Sequence, residues 1–228
     1  SYAISLLRPD IVHDLELVKH GMIVLPMPTT FAPMENGDYL EFGADDYFNY
    51  HQIARHSRKD AEAYADYSHM MGQVCQLLKP LLSDIPPNIL SDEPEEVARR
   101  ARLAAHLGGA DGKVLTMLTR LLTGSAAEIL DDYFESDIIK GFLSSSGIIG
   151  TKVGPRSQGS GLVLLFHSLG EIDGTFGEWG FHKRGNGGFT QTVARAAQAF
   201  GAEIRLNTAV SQLITRNGQA VGVALENG

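Results

Sequence analysis

The chain has 228 residues, 43% apolar and 20% charged, and 19 Lys+Arg against 27 Asp+Glu give a net charge of −8. That length and apolar share suffice for a buried core and exclude wholesale disorder. The acidic balance argues against a nucleic-acid partner, which needs a Lys/Arg surplus on at least one face, and no apolar run approaches the roughly 20 residues that span a bilayer.

Cys75 is the single cysteine, so an internal disulfide and a Cys-rich zinc site are both excluded. No basic-then-apolar leader opens the sequence, and a reducing intracellular compartment is the expectation: cytoplasmic in a bacterium, with a mitochondrial location open in a eukaryote.

The predicted elements begin with a short helix or turn between Ser5 and His20, interrupted by Pro9. Met22–Leu25 reads as a strand. Pro26, Pro28 and Pro33 confine the next stretch to an edge strand or loop, because proline cannot donate to a ladder. Glu35-Asn36-Gly37-Asp38 is a turn and Tyr39–Phe42 a return strand. Ser57, with Asp60 three residues on, caps a helix expected to run to Leu82 with Tyr64, Tyr67, Met71, Val74 and Leu78 on one face. Pro86-Pro87 breaks the chain. Glu95 and Glu96 suit the start of a helix that Gly108-Gly109 ends. Ser125 with Glu128 is a capping-box pattern opening Ala126–Phe134. Ser136–Ser144 is a further helix, and Leu162–Leu169 reads as a buried one.

The tail has a different character. Gly187–Phe200 reads as a helix with Phe189, Val193, Ala196, Ala197 and Phe200 on one face, closed by Gly201. Ala202, Ile204 and Leu206 alternate with Glu203 and Arg205, the period of a half-buried strand. Val210–Thr215 and Ala220–Leu225 flank Asn217-Gly218, the two-residue hairpin signal. A second turn signal, Asn227-Gly228, has no strand after it. Together with Ser1 in first place, it leads to the expectation that the chain is an internal piece of a longer protein.

Few residues point to chemistry. Eight histidines are scattered without ligand spacing, so no metal site is expected. Gly159-Ser160-Gly161 is not a Gly-x-Ser-x-Gly nucleophile elbow. Cys75 reads as a small buried hydrophobe within its helix. Gly185-Asn186-Gly187-Gly188 before a helix could bind an anion through backbone N–H groups, but Thr190 occupies the sixth position of the dinucleotide pattern and Trp179–Arg184 is not a convincing strand. A tight turn that lets the helix pack closely is the alternative. Trp179, Phe181, His182, Lys183 and Arg184 gather aromatic and cationic groups in one loop.

The run Trp179-Gly180-Phe181-His182-Lys183-Arg184-Gly185-Asn186-Gly187-Gly188-Phe189, then Gly201-Ala202-Glu203-Ile204, then Val210 with Leu213-Ile214, and finally Gly218 and Val221-Gly222-Val223-Ala224-Leu225, resembles the central segment of phytoene-desaturase-like FAD-dependent oxidoreductases. The resemblance implies an α+β fold. Residues 1–180 would form a mainly helical substrate-side domain with a short β-hairpin near its start. Residues 181–228 would form a helix, strand and hairpin of an incomplete FAD-binding domain. It implies FAD in the whole protein, hydride transfer to the flavin, and an apolar substrate. Val210 matches the strand valine whose backbone meets the adenine end of FAD in that group. The family's Gly-x-Gly-x-x-Gly turn and acidic ribose ligand have no counterpart here, so this chain alone is expected to bind no FAD and to be inactive. No catalytic residue is assigned. His167, Trp179 and His182 are candidates to line a substrate cavity, on chemical type. Exposed strand edges are expected to favour pairing with a second copy. A helical module for an apolar ligand and an oligomerisation scaffold without redox chemistry are the alternatives.

Overall fold

The computed structural model describes residues 4–172 and 175–226. In chain order its elements are α1 (Pro9–Asp14), β1 (Val24–Pro26), β2 (Thr29–Pro33), β3 (Tyr39–Gly43), α2 (Asp46–Ala54), α3 (Arg58–Leu78), α4 (Pro94–Gly108), α5 (Gly112–Thr123), α6 (Ala126–Asp131), α7 (Asp137–Ser144), α8 (Ser160–Ser168), β4 (Glu171–Ile172), β5 (Thr175–Phe176), β6 (Gly180–His182), α9 (Gly185–Ala199), β7 (Val210–Arg216) and β8 (Gln219–Leu225). The fold is α+β, as expected. Among the described residues the strands form four two-stranded sheets, β1 with β6, β2 with β3, β4 with β5 and β7 with β8.

The chain divides into two compact units, one of Ser1–Leu7 with Val24–Phe181, the other of Arg8–Ile23 with His182–Gly228. In the first, β2 and β3 form the hairpin expected near the start, with Phe31 opposite Glu41 and Gly37 at φ +84° in the turn. Pro33 ends β2, where its missing N–H costs nothing. Ser57 accepts from Asp60 N at 3.1 Å to cap α3. Tyr67, Met71, Val74 and Cys75 are buried on α3, while Tyr64 and Leu78 pack half-buried against the same core. The helix stops at Leu78 rather than Leu82, because Pro80 tightens the next turn into a 3-10 segment, Lys79–Ser83. The capping box holds in both directions at Ser125 and Glu128.

Two helices go beyond the elements predicted from sequence. α5 buries Val114, Met117, Leu118 and Leu121, and Asp111 caps it by accepting from Lys113 N at 2.7 Å. The Asp45 side chain accepts from Phe48 N at 2.8 Å to start α2. α3, α5, α6 and α8 enclose the core, in which Leu121, Ile129, Leu130 and Leu165 are among the most buried side chains.

In the second unit, Pro9 begins α1 instead of interrupting it, which is where a helix tolerates proline. The loop after α1 is tied to α9 by Arg195, whose Nε donates to His20 O at 2.9 Å. Leu17, Thr192 and Ala196 are fully buried. α9 begins at Gly185, two residues before the expected start, and Gly201 follows it at φ +93°. Phe200 does not share the buried face. It is 61% exposed, because the helix has ended at Ala199 and the residue no longer follows the helical period.

Ala202–Leu206 is a correction. Its alternation predicts a strand, yet these residues pair with none of the described strands. Alternation marks which side chains share a face, but a strand also needs a neighbour to complete its hydrogen bonds. The β7–β8 hairpin forms as expected, with Leu213 opposite Val223. Asn217 and Gly218 lie at φ +53° and +77°, the signs a type I′ turn requires. The Asn227-Gly228 turn lies outside the described residues.

Candidate functional site

The aromatic residues singled out from sequence fall into both units. His167 stands in the last turn of α8, whose position is fixed at its other end. Ser160 Oγ accepts from Ala126 N at 2.8 Å and lies 2.7 Å from Ser157 O. Gly161 lets α8 approach α5 closely: a Cβ there would sit 2.8 Å from Leu121 O and 3.1 Å from Gly124 O. Seated this way, α8 presents His167 parallel to the Trp179 indole, with ring centroids 5.6 Å apart and an interplanar angle of 13°. His167 Nδ1 lies 2.9 Å from Val163 O. A donor at that nitrogen leaves Nε2 as the acceptor of a neutral ring. Phe166 stands edge-on to His167 and is half exposed, as is Leu162 one turn back.

Trp179 is held by the backbone. Its carbonyl accepts from Met27 N at 2.8 Å, and Gly180 exchanges hydrogen bonds with Ile4. Gly180 has no room for a side chain, since a Cβ would lie 2.6 Å from Ile172 Cδ1 and 2.8 Å from Val24 Cγ1. The result is an aromatic wall built of one stacked imidazole–indole pair with Phe166 at right angles to it. Among the described residues no cluster of His, Cys, Asp or Glu could hold a metal ion, and no carboxylate is hydrogen-bonded to His167.

His182 belongs to the second unit and is 3% exposed. Its Nδ1 lies 2.6 Å from Lys183 O, and its ring meets Phe189 edge-on. The stretch Gly180–His182 is a strand, β6, contrary to the sequence expectation. Gly185-Asn186-Gly187-Gly188 forms the first turn of α9. Gly188 is required by close approach: a Cβ there would meet Lys183 O at 2.7 Å and Arg184 Cβ at 2.8 Å.

Val210 opens β7, opposite Leu225, and is 53% exposed. A dinucleotide cradle is a parallel βαβ unit with a glycine-rich strand-to-helix turn. Every strand pair whose register is described is antiparallel. β6 runs antiparallel to β1, since Trp179 O bonds Met27 N and Lys183 N bonds Ile23 O. The described residues thus present no cradle of this kind.

Cys75, Tyr64 and Tyr67, all on α3, predict an alkaline limit on stability. Burial pushes the Cys75 thiol up from 9.0 to about 12, and its Sγ lies 3.3 Å from Ser168 O. Burial, with Asp46 nearby, pushes Tyr64 up to about 12, and burial raises Tyr67 further. Each group is neutral when protonated and has its pKa raised by folding. Its contribution is therefore complete below the unfolded value and lost as pH rises through the folded one. Urea midpoints should stay flat up to about pH 8.5 and fall between about pH 9 and 12. Tyr67→Phe should reduce the alkaline slope. A midpoint unchanged at about pH 11 would contradict these placements.

Helical body, aromatic wall and exposed hairpin together describe an α+β chain of the type its sequence resemblance implies. No family model matches the chain. Along its whole length it is similar to the rat (Rattus norvegicus) pyridine nucleotide-disulfide oxidoreductase domain-containing protein 2, at 35% identity over 243 aligned positions. The mouse (Mus musculus) protein of the same name is 34% identical over the same span. The chain covers 42% of each of these relatives. The oxidoreductase resemblance thus extends from the tail to the whole chain, which corresponds to one part of these longer proteins. Among the described residues no helix is long and apolar enough to cross a membrane.

Proposed function

We propose that the chain supplies the substrate-facing part of a flavin-dependent oxidoreductase acting on an apolar substrate, and does not hold FAD by itself. The observation that carries this reading is the similarity along the full chain to proteins named for a pyridine nucleotide-disulfide oxidoreductase domain. The site agrees with it in kind. Oxidation through a bound flavin leaves the chemistry to the cofactor and asks the protein to orient substrate and exclude water. The His167–Trp179 stack, with Phe166 and Leu162 beside it, offers apolar and π surface and little acid–base machinery. Val210, at the open end of its hairpin, is the residue assigned to the adenine end of the cofactor in the whole protein.

Trp179 is the chain's single tryptophan, so its emission reports on the wall directly. Titration with a long-chain fatty alcohol should shift the emission saturably, and an equally long polyol should not. His167→Ala should weaken the response by removing one face of the stack. Equal responses to both probes, or none to either, would remove the apolar-substrate assignment.

A further inference from the structure

Within the first unit, α4 is attached by polar contacts and buries none of its 15 residues. Arg100 Nη1 donates to Asn88 O at 2.8 Å and to Ser91 O at 2.6 Å, and the His106 ring lies 2.8 Å from Leu77 O. The opposite face carries Val97, Ala98, Ala101, Ala104, Ala105 and Gly108, all exposed. At 100° per residue these positions form one stripe. The segment before the helix adds three large apolar side chains in water, with Ile85 67%, Ile89 76% and Leu90 89% exposed. An apolar surface of this kind marks an interaction site.

The charges beside the stripe choose the occupant. One edge carries Glu95 and then Arg102, seven residues on. On the other edge Arg100 is held by the carbonyls of Asn88 and Ser91 in its own chain, and Glu93 is the N-cap before the helix. In an antiparallel pair related by a two-fold axis, each edge meets the same edge of the partner in reverse order. Glu95 of each helix then faces Arg102 of the other, and the two-fold axis makes this pairing twice. A parallel pair would set like charges against each other. Asp92, Glu93, Glu95 and Glu96 around Ile89 and Leu90 also oppose an anionic lipid surface. Arg102 has no ion-pair partner among the described residues, whereas Glu95 also holds Arg99 on its own helix at 2.5 Å. We infer that α4 and the apolar turn before it form an isologous antiparallel contact with the same elements of a second copy of this chain. The small residues of the stripe allow the two helices to approach closely, and leave room for Ile89 and Leu90 of one copy over the second half of the other's α4.

Sedimentation velocity on the 228-residue chain tests this. The expected species has twice the chain mass of 24.7 kDa. Arg102→Glu places like charges across the contact and should raise the dimer dissociation constant at least about tenfold, with the far-UV spectrum unchanged because the position is exposed. The double reversal Glu95→Arg with Arg102→Glu should restore the dimer. A monomeric chain would overturn the inference. So would a dimer indifferent to Arg102→Glu and to Val97→Asp, a double reversal that fails to restore it, or a dimer abolished by Leu213→Asp on the hairpin instead.

Discussion

Asp60→Ala should lower the unfolding free energy by about 3–5 kcal/mol, because it removes two charge-assisted hydrogen bonds to backbone amides. Asp60 is fully buried in the first turn of α3. One carboxylate oxygen accepts from Glu135 N at 2.8 Å and the other from Ser136 N at 2.9 Å. Those amides lie at the entry to α7, some 75 residues away in sequence. The side chain therefore joins the start of α3 to the start of α7 and satisfies two backbone donors at that entry. Asp60→Asn keeps one carbonyl acceptor of the same shape and should cost about half as much. Urea denaturation measures both. A loss below about 1 kcal/mol for the alanine variant would mean that these amides find other partners.

Gly161→Ala should cost about 1–3 kcal/mol, the usual range for overpacking, even though alanine is the better helix former by about 1 kcal/mol. The new methyl would press on the backbone oxygens of Leu121 and Gly124, which cannot swing aside as the tip of a long side chain can. Relief requires α8 to move away from α5. That shift carries His167 with it, so the emission of Trp179 should change along with stability. Gly141→Ala in α7 is the control. A Cβ there meets nothing within 4 Å, and the substitution should stabilise by about 0.5–1 kcal/mol. If the two alanine variants behaved alike, the close approach of α8 to α5 would be wrong.

Local signals were legible in the sequence wherever a single segment decides the outcome. The Ser57 cap, the Ser125–Glu128 box and the Asn217-Gly218 turn all depend on residues within four positions of one another, and all three form. α5 is equally legible. Val114, Met117, Leu118 and Leu121 sit at i, i+3, i+4 and i+7 behind Asp111, the standard amphipathic spacing. Where the outcome depends on a distant neighbour, the sequence is silent. Ala202–Leu206 has strand alternation and no pairing strand among the described residues. The Asp60 contact joins segments that nothing in their local pattern connects. His167 and Trp179 stand out in the sequence by their chemistry, but their stacking is set by the seating of α8 and by the backbone bonds around Gly180. The division into units shows the same dependence, since Arg8–Ile23 is grouped with residues beyond His182 by packing that no local motif announces.

Flavin content tests the central reading most directly. The chain should be incubated with excess FAD, passed through gel filtration, and compared with a polypeptide that also carries the remaining span present in its relatives. A backbone bond or two at Val210 is worth about 1 kcal/mol each, well short of the cost of ordering a dinucleotide. The 228-residue chain should therefore emerge colourless, and the longer polypeptide should carry stoichiometric FAD. Stoichiometric FAD on the 228-residue chain would contradict the absence of a complete cofactor site, and a longer polypeptide that stays flavin-free would remove the flavin-dependent assignment altogether.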